Sequence, residues 1–120
     1  MQIFSGIDSV EIDRIKKSME SETFMRRVFS EKEHELFKSR NYPPETVAAN
    51  FCVKEAVAKT LGTGISGFSL REISALRDGR GAPYIELSGR AEKLFEGMSF
   101  SVSITHTDRC ATAVVIAYRN

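Results

Sequence analysis

Three ionisable residues have the types needed to hold a metal ion and an anionic ligand together. Asp8 lies in the segment GIDSVEI, and Glu55 and Lys59 lie in FCVKEAVAKTLGTGI. One or two carboxylates, completed by phosphate oxygens and water, are the ligands that Mg²⁺ usually takes in proteins. A nearby ammonium would neutralise further negative charge on such a ligand. These residues therefore form a candidate site, provided that the fold brings Asp8 to the helix that carries the other two.

Each of these residues also has an ordinary structural interpretation. Asp8 follows a glycine and is typical of a turn or a helix entry, although Gly6 also permits a close approach of another backbone. Glu55 and Lys59 are spaced as a solvated i, i+4 pair, which is worth a few tenths of a kcal/mol. At about 100° per residue they lie opposite the apolar face expected to pack on a sheet, and beside Phe51 and Cys52. That face comprises Val53, Ala56, Val57, Thr60 and Leu61.

Two further segments carry polar groups that suit phosphate or ribose. The strand pattern FSVSITHT alternates, so its hydroxyl residues share one face and His106 continues the other, apolar face. A solvated row of hydroxyls and a half-buried histidine are the ordinary interpretation. Asp108 lies in the next turn, which makes a Ser-His-Asp triad a poor hypothesis. The Gly62–Gly64 loop lacks the strand and helix of a dinucleotide-binding fingerprint, but its N–H groups would lie near Lys59.

The pattern of elements predicts an α+β domain with a largely antiparallel sheet packed against a long central helix. We expect a first strand that gives way to a helix from about Ser9, and a helix opened by the capping box of Ser30 and Glu33. The segment after Met19 can continue the first helix or form a separate one. A long helix should run from Pro44 to Leu61 and end at Gly62. The remainder reads as a strand over residues 68–78, a hairpin, a short helix and two final strands.

Length and charge limit which classes of function the chain can have. The 120 residues favour one domain, 1–120, with limited room for a deep private cleft, so a site shared between subunits stays among the alternatives. Seventeen basic and sixteen acidic residues give a net charge of +1, which argues against nucleic-acid binding through bulk charge. The absence of a long apolar run argues against a membrane helix, and two isolated cysteines are typical of reduced thiols in the cytoplasm.

The first helical region is locally basic. Its positive residues are Arg14, Lys16, Lys17, Arg26 and Arg27. They form either a solvated helix face or a docking surface for an acidic protein, whose encounter the charge would steer.

Taken in order, these motifs resemble those of the holo-acyl-carrier-protein synthases, the small members of the 4′-phosphopantetheinyl transferase superfamily. The resemblance runs from Gly6 to about Val115. It rests on G-I-D-x-V-E-I-x-R-I, F-x-x-K-E-A-x-x-K-x-L-G-T-G-I, F-x-L-x-E-I, G-x-P-Y and S-I-T-H-T. It implies transfer of the phosphopantetheine arm of coenzyme A to a serine of an acyl carrier protein, with Mg²⁺, by a cytoplasmic homotrimer whose sites lie between subunits.

The resemblance also implies residue roles. Asp8 and Glu55 match the metal-binding acids, Lys59 the lysine that contacts the phosphates, and these three form the expected catalytic set. Glu55, or a water beside it, is the hypothesis for the base that takes the serine proton. The expected coenzyme A-binding residues are Lys59, Gly62, Thr63, Ser103, Thr105 and His106. The expected carrier-protein docking residues are Arg14, Lys17, Arg26 and Arg27.

Several positions depart from the family pattern, among them Ser9, where an isoleucine or leucine is common, and residues 49–53 before Lys54. Asn50 stands where the family often has an arginine, which leaves one phosphate or partner contact without an obvious donor. Two rival functions remain open: a non-catalytic module that binds coenzyme A and docks carrier proteins, and another metal-dependent phosphotransferase or nuclease. The near-neutral charge weakens the latter, and the retained acids weaken the former.

Overall fold

The computed structural model describes residues 1–62 and 65–120. Its strands are β1 (Gln2–Glu11), β2 (Ile73–Arg77), β3 (Pro83–Leu87), β4 (Ser99–His106) and β5 (Cys110–Arg119). Its α-helices are α1 (Ile12–Ser18), α2 (Glu22–Val28), α3 (Glu31–Ser39), α4 (Pro44–Thr60) and α5 (Gly89–Leu94), and a 3₁₀ helix spans Leu70–Glu72. The predicted α+β class is confirmed. None of the helices in the described ranges is both long and apolar enough to cross a bilayer.

Two antiparallel sheets make up the β structure. The larger has the strand order β1-β5-β4, and the smaller is the β2-β3 hairpin. In the larger sheet Asp8 lies opposite Ala113, and Ala113 lies opposite Ile104. Paired residues share a face of an antiparallel sheet, so Asp8 belongs to the face that β5 packs into the core.

Helix α4 is buried on almost all of its sides. Twelve of its seventeen residues are buried, so its apolar surface extends well beyond the single face that its sequence period predicts. It lies so close to β1 that a Cβ atom at Gly6 would overlap the carbonyl oxygen of Ala56. The absence of a side chain at Gly6 therefore allows β1 to lie this close to α4, and this contact sets the distance between the two elements.

The predicted ends of α4 are confirmed within a residue. Pro43 is the N-cap and Pro44 occupies the first turn, where its missing N–H group costs nothing. Leu61 is the C-cap, and Gly62 follows with φ +73, the left-handed conformation that ends many helices. The predicted capping box at the start of α3 is present as well, with both of its reciprocal hydrogen bonds between Ser30 and Glu33.

Two predicted boundaries were wrong. The helix expected from Ser9 begins at Ile12, because Ser9 to Glu11 remain in the β1 ladder and the Ser9 hydroxyl lies 2.9 Å from that of Thr112. The strand expected over residues 68–78 begins only at Ile73. The residues before it form the 3₁₀ helix, whose start is a capping box between Ser69 and Glu72. The segment after Met19 is a separate helix, α2, capped by the Ser21 hydroxyl.

The second face of the larger sheet is exposed. We call it the outer sheet face, and it comprises Ile3, Ser5, Ile7, Ser9, Ser99, Ser101, Ser103, Thr105, Thr112, Val114, Ile116 and Tyr118. Ile3 is 64% exposed and Ile7 is 60% exposed. Large apolar side chains grouped with hydroxyls on an open sheet are typical of a protein–protein interface.

Candidate active site

The fold brings Asp8 to the helix that carries Glu55 and Lys59. Strand β1 passes α4 at Gly6, and two residues later the Asp8 carboxylate meets the side chain of Lys59. The Lys59 Nζ donates to Asp8 Oδ1 at 3.2 Å and to the carbonyl of Ile7 at 3.0 Å. Among the described residues, the ammonium therefore pairs across to the strand rather than along its own helix with Glu55. The arrangement favours a site over a solvated helix pair.

The charges of Asp8 and Glu55 act on each other. Partial burial raises the pKa of Glu55 above its usual range, the nearby Asp8 carboxylate raises it further, and Lys59 opposes both. Two carboxylates this close repel one another unless a cation lies between them. No group of three or more side chains that could ligate a metal occurs in the described part of the chain. Two carboxylates are nevertheless a sufficient protein contribution for a cation such as Mg²⁺, which takes its other oxygens from phosphate and water.

The flanking residues Phe51 and Cys52 occupy different positions. Cys52 is completely buried, and its thiol donates to the carbonyl of Ala111 at 3.4 Å. Burial and the nearby Asp8 raise the pKa of Cys52 to about 12, so the thiol stays protonated behind the carboxylates. Phe51 is half-buried, with its ring centroid 6.1 Å from that of Phe24 on α2. Cys52 thus forms the inner wall next to Asp8, and Phe51 lies towards α2.

A buried ion pair anchors α4 directly beside Glu55. Lys54 and Glu33 are both fully buried, and the Lys54 ammonium donates to the Glu33 carboxylate and to the carbonyl of Ile73. Burial lowers the pKa of Lys54 to about 8, although Glu33 opposes this. The pair joins α3, α4 and β2. Sequence reasoning missed it, because Glu33 has a second role as the capping residue of α3 and lies 21 positions from Lys54.

Asn50 extends this buried network. Its amide nitrogen donates to Glu33 Oε2 at 3.0 Å and to the carbonyl of Ala75 at 2.8 Å. Its amide oxygen accepts from the Arg77 guanidinium at 2.8 Å. The position where the family often has an arginine is thus filled by an amide that holds an arginine from β2. No sequence signal pointed to Arg77, which looks like an ordinary residue before a turn.

The expected coenzyme A-binding residues divide between the two faces of the sheet. His106 lies on the face of Asp8, while Ser103 and Thr105 lie on the outer sheet face. Within one chain, the two hydroxyls and the histidine therefore do not line a common space. Gly62 follows α4 and donates its N–H to the carbonyl of Lys59 at 3.0 Å. Thr63 lies outside the described residues.

The expected docking residues are all exposed. Arg14 and Lys17 are exposed on α1, and Arg26 and Arg27 are exposed on α2. Beside them is an open cavity of about 550 Å³. It is lined by Met19, Glu22, Met25, Arg26, His34, Tyr42 and Arg71. Basic side chains around a mostly apolar depression suit an acidic helix that also presents apolar residues.

Comparison with known proteins places the chain in a family. The sequence profile of the 4′-phosphopantetheinyl transferase superfamily matches residues 5–114. The chain belongs to this superfamily. A curated member, the holo-[acyl-carrier-protein] synthase of Clostridium botulinum, is 45% identical over 114 residues, which are 92% of this chain and 93% of that protein.

Solved structures of superfamily members share the fold. The holo-(acyl-carrier-protein) synthase of Bacillus anthracis, in complex with CoA (3′,5′-ADP), superposes with a TM-score of 0.82 at 31% identity and covers 98% of this chain and 96% of its own. The Helicobacter pylori holo-[acyl-carrier-protein] synthase, in complex with coenzyme A, gives 0.82 at 34% identity, with 95% and 99% covered. The predicted fold is therefore that of the superfamily.

The repulsion at the site predicts that Glu55→Gln stabilises the metal-free fold. A carboxyl whose folded pKa is raised costs stability above that pKa, and the cost disappears as the pH falls below the unfolded value near 4.5. The neutral amide avoids this cost. We expect a gain of less than about 1 kcal/mol at pH 8, because the group is partly solvated, and almost none at pH 4. Thermal unfolding with a chelator measures this, and a lower melting temperature for the variant at pH 8 would contradict it.

Proposed function

We propose that this chain transfers the 4′-phosphopantetheine arm of coenzyme A to a serine hydroxyl of an apo acyl carrier protein and releases adenosine 3′,5′-bisphosphate. The observation that carries the proposal is the meeting of Asp8, Glu55 and Lys59 where β1 passes α4. Attack on a pyrophosphate phosphorus needs negative charge to be neutralised on both sides of the breaking bond. The two relatives solved with coenzyme A or its nucleotide support the substrate.

Asp8 and Glu55 would hold the Mg²⁺ ion. When bound, the ion supplies positive charge to the pyrophosphate and orients it. Protein side chains supply the remaining contacts to the pyrophosphate. Lys59, whose side chain is 52% exposed, is free to move its ammonium from Asp8 to a phosphate oxygen once the carboxylate binds a cation. Cys52 and Ala111 close the inner side of the site, so the pyrophosphate approaches from the solvent side of α4.

Glu55, which lies next to Asp8 and Lys59, is the proposed base, and a water beside it is the alternative acceptor. In the metal-free protein its pKa is raised by burial and by Asp8. It would take the serine proton as the hydroxyl oxygen attacks phosphorus and the adenosine 3′,5′-bisphosphate oxygen leaves.

The site is proposed to be completed by a second copy of the chain. Within one chain, Ala49, which lines the same cavity as His106, lies ten residues before Lys59 on α4, or about 15 Å along the helix. Only a ribose separates the pyrophosphate of coenzyme A from its 3′-phosphate, so one molecule cannot readily reach both positions in the same chain. The exposed outer sheet face offers apolar surface for self-association, and a homotrimer would bring Ser103 and Thr105 against a neighbour. Light scattering tests this: three times the chain mass of 13.4 kDa is expected, and a monomer would contradict it.

The basic surface of α1 and α2 is proposed to dock the carrier protein. Arg14, Lys17, Arg26 and Arg27 are exposed there, next to an apolar depression. The resulting enzyme would be a single domain that acts in the cytoplasm, where free thiols stay reduced, in fatty acid or related biosynthesis. A non-catalytic binding module is disfavoured, because binding alone would gain nothing from two mutually repelling carboxylates.

The proposal is tested by incubating the protein with coenzyme A, Mg²⁺ and an apo carrier protein and weighing the carrier. We expect the mass of the phosphopantetheine arm to be added. Asp8→Asn and Glu55→Gln should each lower the rate by roughly 100-fold or more, since charge-neutralising and proton-accepting groups typically contribute factors of that size. Glu92→Gln, an exposed acid on α5 that lies outside both this site and the proposed docking surface, serves as the control. No addition to any of several carriers would refute the function, and near-normal turnover of Glu55→Gln at saturating Mg²⁺ would refute its role as the base.

A further inference from the structure

Helix α2, which carries the expected docking residues Arg26 and Arg27, is only weakly fixed by its own packing. Among its seven residues, all of which the structure describes, Met25 alone is buried. A helix of this length is not stable by itself in water. Its first turn is capped by the Ser21 hydroxyl, which accepts from the N–H of Phe24 at 3.1 Å. The opposite end, where the two arginines lie, depends on contacts from other parts of the chain.

Two donors from outside α2 supply these contacts. The last carbonyl groups of a helix have no partner within it. The Arg71 guanidinium, from the 3₁₀ helix, donates through Nη1 to the carbonyl of Arg26 at 2.6 Å and to that of Phe29 at 2.8 Å. On α3, His34 Nε2 lies 3.0 Å from the carbonyl of Met25. A carbonyl only accepts, so Nε2 is the donor. The final turn of α2 is thus bonded to two other elements.

The guanidinium of Arg71 is well suited to this end of a helix. The carbonyl groups at a helix C-terminus carry partial negative charge, which a cation stabilises. The backbone of Arg71 is itself fixed, because its N–H donates to the Ser69 hydroxyl at 3.3 Å and Glu72 completes the same capping box. The side chain therefore extends from a fixed point to α2. Replacing that side chain leaves the bonds of the capping box in place.

The bonds that hold α2 lie at the edge of the apolar depression, the open cavity of about 550 Å³ beside this helix. Arg71 and His34 line it together with Met25 and Arg26. A tilt of α2 would therefore change the shape of the depression and the direction of its arginines at the same time. Arg71 acts on the surface that the carrier protein is proposed to cover.

We propose that Arg71, assisted by His34, is a positioning residue for carrier-protein recognition, which fixes the last turn of α2 and with it the directions of Arg26 and Arg27. The inference rests on the proposed function and adds to the docking surface two residues that lie outside α1 and α2. Binding costs less entropy when the backbone that carries the contacting side chains is already fixed. Positioning of this kind should lower the KM for the carrier and leave the chemical step unaffected.

The test measures arm transfer as a function of carrier concentration at saturating coenzyme A. Arg71→Met should raise the KM for the carrier by about 3- to 10-fold, with kcat and the KM for coenzyme A almost unchanged. Arg71→Lys should recover most of the loss, because an ammonium can donate to the same two carbonyls. His34→Leu, which removes the other donor, should raise the KM by about twofold. Lys93→Met is the matched control, since it removes an exposed cation of α5 that does not line the depression.

A double variant separates positioning from direct contact with the carrier. Arg26→Met/Arg27→Met removes the positive charges of the last turn of α2. Adding Arg71→Met to it should raise the KM for the carrier little further, since residues that act through one another are not additive. If the effect of Arg71→Met instead appeared in full in the double variant, Arg71 would act independently of these arginines, and the inference would be overturned.

Binding of the apo carrier to the Glu55→Gln protein, followed by titration calorimetry, gives a readout without turnover. Adding Arg71→Met should raise the Kd by the same factor as the KM. If the wild-type protein transfers no arm, the proposed function fails, and the calorimetry still decides the present inference, which a carrier that does not bind overturns.

If the wild-type protein transfers the arm and Arg71→Met leaves the KM for the carrier unchanged, only the present inference fails. A lower kcat with an unchanged KM would also overturn it. Should Arg71→Met not fold, His34→Leu decides by the same criteria, because its bond to α2 is separate from those of Arg71.

Discussion

Replacing Lys54 by methionine should cost about 3–5 kcal/mol of the free energy of unfolding. The substitution conserves much of the side-chain volume but removes the ammonium, and it leaves the Glu33 carboxylate buried with no cation. The Glu33 carboxylate still accepts three N–H hydrogen bonds, from Ser30 at 3.0 Å, Asn50 at 3.0 Å and Ala75 at 3.3 Å. They reduce the cost but do not neutralise the charge. Denaturant unfolding at pH 7.5 measures the effect.

The source of this defect is the uncompensated charge, because a buried carboxylate without a cation carries the full penalty of desolvation. The double variant Glu33→Gln/Lys54→Met, which has neither charge, should recover a large part of the loss. Lys32→Met, which removes an exposed partner of Glu86, should change little. A deficit equal to that of Lys32→Met would contradict the expectation.

Gly6→Ala should both destabilise the fold and remove activity. The new Cβ would overlap the Ala56 carbonyl oxygen and lie 2.9 Å from its carbon and 3.2 Å from Thr60 Cγ2. Two of these three atoms belong to the α4 backbone, so a side-chain rotation cannot relieve the overlap, and the helix must move away from β1. Overpacking of this kind costs about 1–3 kcal/mol. The same movement would separate Asp8 from Glu55 and Lys59, and a shift of about 1 Å can cost 100-fold in rate.

Transfer assays and thermal unfolding of the variant measure the two effects. Gly79→Ala is the matched control, because a Cβ at Gly79 meets nothing within 4 Å and its backbone is not in the left-handed conformation. That change should be neutral or slightly stabilising. Normal turnover by a folded Gly6→Ala protein would show that the β1–α4 spacing does not set the geometry of the site.

The elements that could be predicted from the sequence are those whose signals are local. The capping box at Ser30, the glycine after α4 and the alternation of β4 each depend on residues within a few positions of one another, and each was confirmed. The boundaries that were wrong depend on distant partners. Ser9 continues β1 because it pairs with Thr112, more than a hundred positions away. Residues 70–72 form a 3₁₀ helix because Glu72 caps it and also accepts from the backbone of Arg90.

The candidate site could be proposed from the sequence only through the resemblance. The spacing of Glu55 and Lys59 is equally that of a solvated pair, and it is Asp8, about fifty positions away, that takes the Lys59 ammonium. Periodicity could not reveal that Lys54 is buried, because its partner Glu33 already had a local explanation. Arg77 gave no signal at all, since its relation to Asn50 exists only after β2 packs against α4.

The burial of α4 on nearly every side limits how this sequence can change over time. Core residues, the Lys54 anchor and the site carboxylate occupy successive positions of one helix, so few of its seventeen residues can be exchanged singly without a loss. The pairing of Asn50 with Arg77 adds a constraint between elements, because replacing either residue alone leaves the other without its hydrogen bond. Single replacements should be accommodated more easily on β3 and along β4, where several side chains are exposed.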